Sequence, residues 1–192
     1  ALRPTTTNPD NVKASHLYGL DKFQTALYVV DSGLNRIHRV DIKTGDATTL
    51  VEFPNRPNPN FPTPPGGPFV EAVPDNIHRF GNRLLVPLLT GFPFVPGVAE
   101  IRAVDIKTGE HVGLIPNLTS AIDIIKAGDD DDMATFAPGD GNAFYTLEFS
   151  TNMLGGALGR LRYYSSPTAT PDDLLTNLVT PTSMARDGYT GE

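Results

Sequence analysis

The chain contains no cysteine and no tryptophan, and acidic residues outnumber basic ones. Without cysteine, disulfide scaffolds, thiolate metal sites and cysteine nucleophiles are excluded, although the redox compartment stays open. The lack of tryptophan weakens a carbohydrate-stacking lectin function, which six Tyr and ten Phe still permit. A formal net charge of −7 offers no attraction to a phosphate backbone, so we expect no nucleic-acid partner.

Long apolar runs are also missing. No stretch approaches the roughly 18 apolar residues of a membrane helix, and the N-terminal residues lack the apolar core of a signal peptide. We therefore expect no membrane span, and an exported protein would be present here in its processed form. The sequence has neither a Walker-type phosphate loop nor a Gly-x-Ser-x-Gly elbow, which disfavours phosphoryl-transfer and nucleophilic enzymes.

Glycine and proline are abundant, with 18 of each in 192 residues. This composition is typical of many short strands joined by tight turns, and the length suits a single domain over residues 1–192. The hexapeptide Val-Asp-Ile-Lys-Thr-Gly occurs twice, at residues 40–45 and 104–109, each time between two strand-like stretches. Each copy therefore predicts a β-hairpin whose glycine takes a positive φ.

The hairpins belong to a longer repeat. Apolar runs lie at residues 26–30, 83–87 and 143–147, each preceded by a short stretch at 17–20, 75–78 and 121–125. A further copy of that stretch begins at residues 181–185. Four short antiparallel strands per repeat are typical of a propeller blade. We predict an all-β fold, a β-propeller with about three four-stranded blades plus a partial fourth.

We expect that closing the ring needs more blades than the three and a part predicted here, because propellers have roughly four to eight blades. The ring would be completed by missing sequence, or by a second chain in a symmetric homodimer. A short open sandwich or solenoid is a further alternative.

Two insertions interrupt the repeat, at residues 54–68 and 90–97. The first is rich in proline, which lacks the N–H donor of a sheet, so we expect it not to pair. Rigid aromatic residues on surface loops suit recognition, and Phe61, Phe92 and Phe94, with Tyr18, are the candidate partner or ligand contacts. Alternatively, the two loops pack on one another and cover a blade edge. Residues 1–15 are expected to form an extended N-terminal arm.

Five segments together resemble the ScyD/ScyE-like proteins. They are Ala-Leu-Tyr-Val-Val-Asp-Ser-Gly at 26–33, Val-Glu-Phe-Pro-Asn-Arg-Pro at 51–57, Glu-Ala-Val-Pro at 71–74, Leu-Thr-Gly-Phe-Pro-Phe at 89–94 and Leu-Glu-Phe-Ser-Thr-Asn at 147–152. The resemblance implies an exported propeller, similar to NHL-repeat proteins, of a family with some members encoded beside scytonemin pigment genes. It also implies longer relatives, with blades before Tyr18 and after Glu192. Residues 1–11 match no part of the family, and the acidic run at 129–132 departs from its usual Pro-Asp-Gly turn.

The innermost strands of a propeller line its channel, where Gly19, Asn76, Asp123 and Ser183 occupy equivalent positions of the repeat. Oxygen ligands converging from several blades suit calcium. The lactonase-like propellers hold a divalent metal at such a place with Glu, Asn and Asp. By this similarity the candidate metal ligands are Glu71, Asn76, Asp123 and Glu148. The alternative is that Asn76 and Asp123 accept hydrogen bonds from backbone donors where strands begin.

Three other polar features are weaker evidence for a functional site. The acidic run at 129–132 lacks the spaced ligands of an EF-hand loop and is interpreted as a solvated turn. The histidines, at positions 16, 38, 78 and 111, show no zinc spacing. A glycosylation sequon begins at Asn117, which matters only in a eukaryotic secretory protein.

These observations lead to three hypotheses. The first is a secreted or extracytoplasmic, non-catalytic propeller that binds a partner protein or a small molecule through its channel mouth and the Pro/Phe loops. The second is a calcium-dependent hydrolase or lactonase using Glu71, Asn76, Asp123 and Glu148. The third is a purely structural module, which needs neither a metal nor a pocket.

Overall fold

The computed structural model describes residues 14–127 and 142–185, which form β-structure and turns without a helix. Blade 1 consists of β1 (Leu17–Phe23), β2 (Ala26–Asp31), β3 (Arg36–Asp41) and β4 (Ala47–Glu52). Two short strands follow, β5 (Arg56–Pro57) and β6 (Phe69–Val70). Blade 2 consists of β7 (His78–Phe80), β8 (Arg83–Leu88), β9 (Ala99–Asp105) and β10 (His111–Leu118). Blade 3 consists of β11 (Ala121–Ala127), β12 (Ala143–Glu148), β13 (Gly159–Tyr164) and β14 (Asp172–Leu178).

Each blade is an antiparallel meander in which every strand pairs with its neighbour in sequence. The first strands of the blades, β1, β7 and β11, contact one another across the blades, which is expected of inner strands. The predicted all-β, propeller-type fold is confirmed, and within the described part of the chain the three blades do not close a ring. Within the same residues no helix has the length and apolarity that a membrane span requires.

The two copies of the repeated hexapeptide form the predicted hairpin turns with the same hydrogen bonds. Oδ1 of Asp41 accepts from the N–H groups of Lys43 and Thr44 at 2.8 and 3.0 Å. In the second copy, Oδ1 of Asp105 accepts from Lys107 and Thr108 at 2.9 and 3.0 Å. These bonds hold the pKa of Asp41 below its usual value, so its carboxylate stays ionised.

Blade 2 is central and buries both of its faces. Along β8, Leu84, Val86 and Leu88 belong to a core shared with blade 1, whereas Leu85 belongs to a core shared with blade 3. Successive side chains of a strand point to opposite faces, which explains why this strand is a nearly continuous apolar run. Blade 3 adds Phe144, whose ring meets Phe80 edge to face at 6.2 Å.

Successive connections of an antiparallel meander lie at opposite ends of its strands. We call the end that carries the two hexapeptide turns the hairpin end, and the other, which carries residues 54–68 and 90–97, the insertion end. The expectation that residues 54–68 take no part in pairing was wrong for two of them. Arg56 pairs with Val70 and Pro57 with Phe69. This is possible because the pair stands at the edge of a two-residue ribbon, where a missing proline N–H costs no ladder bond.

Three sequence features, the N-terminal arm, the acidic run and the fourth repeat, lie at or beyond the limits of the described residues. Of the N-terminal arm, residues 1–13 lie outside the described part, while the Ser15 hydroxyl donates to Asp31 at 2.5 Å. The acidic run at 129–132 also lies outside it. The fourth repeat, at residues 181–185, is described but forms no strand.

Candidate functional site

The Pro-rich loop at the insertion end is built around Asn58. Its side-chain N–H donates to the carbonyl of Gly67 at 2.8 Å, and its backbone N–H donates to Pro68 at 2.9 Å. The carbonyl of Asn58 accepts from Phe61 at 3.2 Å. Asn58 is buried although nearly all of its neighbours are exposed. One asparagine therefore closes the loop by joining its two ends.

A salt bridge fixes the base of the same loop to blade 2. The guanidinium of Arg56 pairs with the buried carboxylate of Glu100, which also accepts from Arg102 at 2.6 Å. Arg102 in turn lies 2.8 Å from Nδ1 of His111. Burial, followed by the charge of Arg102, lowers the pKa of His111, which favours a neutral imidazole that can accept this bond.

The second loop carries Phe92 and Phe94, whose rings meet edge to face at 6.1 Å. The N–H of Phe94 donates to the carbonyl of Gly91 at 2.9 Å, which closes a tight turn. Phe94 is half-buried under its partner. Phe92 keeps 56% of its surface exposed. Of these two predicted contact residues, Phe92 is therefore the one presented to solvent.

The two loops pack on one another, as the alternative interpretation expected. A Cβ built on Gly66 would lie 2.8 Å from Cδ of Pro93, so the Pro-rich loop rests against the Phe92–Phe94 turn. The contact does not cover the aromatic rings, because Phe61, Phe69 and Phe92 are 51%, 57% and 56% exposed. The insertion end thus presents three exposed phenylalanines: Phe61 and Phe92 on two loops that contact each other, and Phe69 on β6. Phe69 was not among the predicted contact residues. Its one sequence signal is its position directly after the Pro-rich insertion.

At the start of the inner strands, Asp123 is fully buried and accepts three hydrogen bonds. Nε2 of His78 lies 2.8 Å from its Oδ1, which also accepts from the N–H of Ile124 at 2.9 Å. Its Oδ2 accepts from the N–H of Met184 at 2.6 Å. The carboxylate therefore joins blade 2, blade 3 and the start of the fourth repeat, beside Ser183.

Asp75 lies near this carboxylate and is itself buried. Burial, and then the negative charge of Asp123, raise the pKa of Asp75 to about 7. The pKa of Tyr18 is also raised, first by burial and then by Asp75 and Asp123. The Tyr18 hydroxyl, on β1, lies 3.4 Å from the carbonyl of Thr182. Sequence reasoning missed Asp75, which lies between Pro74 and Asn76 just before the inner strand β7 and has no distinctive sequence signal.

The other predicted metal ligands each have contacts of their own. The Oδ1 of Asn76 accepts from the N–H of Ile77 at 2.9 Å, and Gly19 of the neighbouring inner strand packs directly against Asn76. Glu71 is half-buried, and its Oε1 is buried with no hydrogen-bond partner among the described residues.

Glu148 is fully buried and held by cations. Its carboxylate accepts from the N–H of Thr119 and from Arg160, and Nε of Arg162 lies 3.6 Å away. Both arginines also pair with Asp173, which is 41% exposed, so removing Glu148 takes away their buried partner, which is costly. Across residues 14–127 and 142–185, no three His, Asp or Glu side chains gather as a metal centre. Of the four candidates, only Glu71 has an unpartnered oxygen, and the metal site stays a prediction.

Asn117 of the glycosylation sequon is exposed near the end of β10. The hydroxyl of Thr119, the third residue of the sequon, accepts from the N–H of Gly97 at 3.1 Å. The asparagine side chain is therefore accessible to solvent, while the threonine is buried and holds the backbone at Gly97. Glycosylation stays a prediction.

No protein-family model matches the chain, and no curated protein matches it. Among solved structures, it is similar to a chain in the crystal structure of a nidogen/laminin complex, with 14% identity and a TM-score of 0.58. That match covers 95% of this chain and 56% of the other, so the chain spans a little over half the length of this relative. A chain of the tricorn protease matches with 12% identity and a TM-score of 0.41, covering 88% of this chain and 19% of the other. The likeness to the first structure shows the β-propeller fold.

Proposed function

We propose that the protein is an exported, non-catalytic β-propeller that binds a partner protein through its insertion end. The observation that carries the proposal is the exposure of Phe61 and Phe92 on two loops packed against each other, together with that of Phe69 on β6 directly after the first loop. Exposed aromatic side chains clustered on one surface are typical of interaction sites. Because the loops are already braced, little conformational entropy is lost when a partner orders them.

The anchoring of the loops favours recognition over a purely structural role. The Arg56–Glu100 salt bridge and the hydrogen bonds of Asn58 hold the backbone, so the exposed rings are not needed to stabilise the loop. A structural insertion would instead bury its aromatic residues, as Phe94 partly does. The rings therefore remain available for a partner.

Two further considerations support the proposal. The similar chain of the nidogen/laminin structure comes from a complex between proteins, which is a property of that protein and a precedent for this fold. The resemblance of segments such as 89–94 to ScyD/ScyE-like proteins is part of the proposal, and export rests on that resemblance. The same segment contains Phe92, so one of the five resembling segments coincides with the exposed aromatic surface.

The proposal is tested by photo-crosslinking. A photoreactive phenylalanine analogue is placed at Phe92, and in a matched variant at Val112, which is 49% exposed on β10 of blade 2. Each purified protein is incubated with the secreted proteins of its source organism. We expect a discrete adduct from position 92 that is absent from position 112 and disappears when Phe61 and Phe69 are both changed to Ser. Identical adducts from both positions, or none from position 92, would contradict partner binding at the insertion end.

A further inference from the structure

A cavity of about 640 Å³ lies between blades 1 and 2 at the hairpin end, away from the insertion end. Tyr28 and Ile106, which line it, are each 4% exposed and belong to the core between these blades. Phe23 packs against the same core and adds a further apolar wall. Small-molecule sites have volumes of roughly 300 to 1,000 Å³ and mainly apolar walls. The cavity has both properties.

The backbone around the cavity is fixed by the repeated turns. In blade 1 the N–H of Ile42 donates to the carbonyl of Thr25 at 2.9 Å. In blade 2 the N–H of Ile106 donates to the carbonyl of Asn82 at 3.1 Å. Thr25 and Asn82 both line the cavity. Each hexapeptide therefore ties down the neighbouring turn of its own blade, so the cavity is formed before any ligand arrives.

Two cations, Arg39 and Lys107, line this cavity in a chain whose net charge is −7. Within the part of the chain that the structure describes, neither belongs to an ion pair, whereas six other arginines each pair with a carboxylate. The charge of Arg39 helps to lower the pKa of Asp41, and the Oδ1 of Asp41 is already engaged by the backbone N–H groups of its turn. Arg39 is half-buried, so its charge is less screened than that of a fully exposed side chain.

From this arrangement we infer that the cavity binds a small aromatic anion, with its ring against Tyr28, Phe23 and Ile106 and its carboxylate or sulfonate between Arg39 and Lys107. An arginine fork and an ammonium group provide charge-assisted hydrogen bonds to such an acidic group. The apolar walls provide the burial that a ring requires. This site is separate from the surface assigned to a partner protein, and it does not depend on that assignment.

The test uses 8-anilinonaphthalene-1-sulfonate, a fluorescent aromatic anion, and its uncharged analogue N-phenyl-1-naphthylamine, titrated by calorimetry and fluorescence. We expect saturable binding of one sulfonate per chain. Arg39→Gln and Lys107→Gln are each expected to weaken binding of the sulfonate by about tenfold, the effect of losing one charge-assisted hydrogen bond. The uncharged analogue should bind all variants equally.

The repeat supplies a matched control. Lys43 occupies the same place in the first hexapeptide as Lys107 in the second, but it does not line the cavity. Lys43→Gln should leave the affinity for the sulfonate unchanged, and so should Phe92→Ser at the insertion end. Lys107 is exposed, so its variant keeps the fold and decides the question even if Arg39→Gln does not fold. Equal effects of Lys43→Gln and Lys107→Gln, an effect of Phe92→Ser, or no saturable binding would overturn the assignment.

Discussion

A Cβ built on Gly109 would lie 2.2 Å from the carbonyl oxygen of Leu50. Gly109 ends the second hexapeptide, in blade 2, and Leu50 lies on β4 of blade 1. The hairpin turn of one blade thus rests directly on the outer strand of the preceding blade. Gly45, which ends the first hexapeptide, has the same turn geometry, with a φ of 77° against 74° for Gly109. No atom lies within 4 Å of a Cβ built on Gly45.

The two glycines therefore form a matched pair for alanine substitution. Gly45→Ala should cost about 1 kcal/mol, because a side chain disfavours positive φ. Gly109→Ala should cost roughly 2 to 4 kcal/mol, since steric overlap with the Leu50 carbonyl adds to the same backbone strain. Urea unfolding of the two variants and the wild type measures the difference. Equal losses of stability in the two variants would show that the structure relaxes around the new methyl group at position 109 without a loss of free energy.

The raised pKa of Asp75, about 7, makes stability depend on pH. The unfolded chain releases this proton near pH 4, whereas the folded chain retains it until about pH 7. Folding therefore binds a proton between these values, and stability falls as pH rises from about 4 to above 7. Three pKa units correspond to as much as about 4 kcal/mol.

Asp75→Asn mimics the protonated group and should remove this loss. We expect the variant to be more stable than the wild type at pH 8 and nearly equal to it at pH 4, as measured by chemical unfolding across this range. Asp123 and its partner His78 face the same region and contribute to the background slope, so only the difference between variant and wild type is interpreted. Asp46→Asn, at an exposed turn position, is the control and should leave the slope unchanged. If the free energy of unfolding of the Asp75→Asn variant depended on pH as steeply as that of the wild type, the raised pKa of Asp75 would be contradicted.

The arrangement of Glu148 predicts a structural role. Glu148→Ala should destabilise the fold by roughly 2 to 4 kcal/mol, because Arg160 and Arg162 would lose their buried partner and keep only the more exposed Asp173. The control is Glu52→Ala, which breaks the more exposed pair with Arg36, 3.1 Å apart. That change should cost at most about 1 kcal/mol. Thermal unfolding distinguishes the two, and a loss no larger than that of Glu52→Ala would show that Glu148 is not held as described.

Sequence patterns identified the blades because hairpin turns and alternating apolar runs act over a few residues. They did not identify β14, whose sequence Asp-Asp-Leu-Leu-Thr-Asn-Leu is almost entirely exposed and lacks alternation. The pairing of Glu148 with Arg160 was equally hidden, since it depends on the register of two strands separated by ten residues. Asp75 was missed because the groups close to it, such as Asp123 and Tyr18, belong to other blades and are distant in sequence.

Calcium provides a direct test of the metal hypothesis. A native-state site with a dissociation constant one hundredth of the calcium concentration would add about 2.7 kcal/mol of stability. We expect no such gain, because the oxygens of Asp123 and Glu148 are occupied by hydrogen-bond donors and cations. The melting temperature with excess calcium should equal that with a chelator. A clear rise that Glu71→Gln abolishes would instead support the predicted site.

The contact between Gly66 and Pro93 predicts how the insertion end is assembled. Gly66 has a φ of 101°, and a Cβ there would also lie 2.9 Å from Cγ of Pro93. Gly66→Ala should therefore push the Pro-rich loop away from the Phe92–Phe94 turn. The neighbouring Gly67 has no atom within 4 Å of a built Cβ, so Gly67→Ala is a control that differs by one position.

Hydrogen exchange at residues 91–97 measures this coupling. We expect faster exchange in Gly66→Ala than in the wild type, with Gly67→Ala close to the wild type, because loss of the contact lowers the free energy of local opening. If the exposed rings bind a partner as one surface, Gly66→Ala should also reduce the adduct formed from position 92 while blades 1 to 3 keep their stability. Unchanged exchange in both variants would mean that the two loops hold their positions independently, and that Phe61 and Phe92 are not positioned by each other's loop.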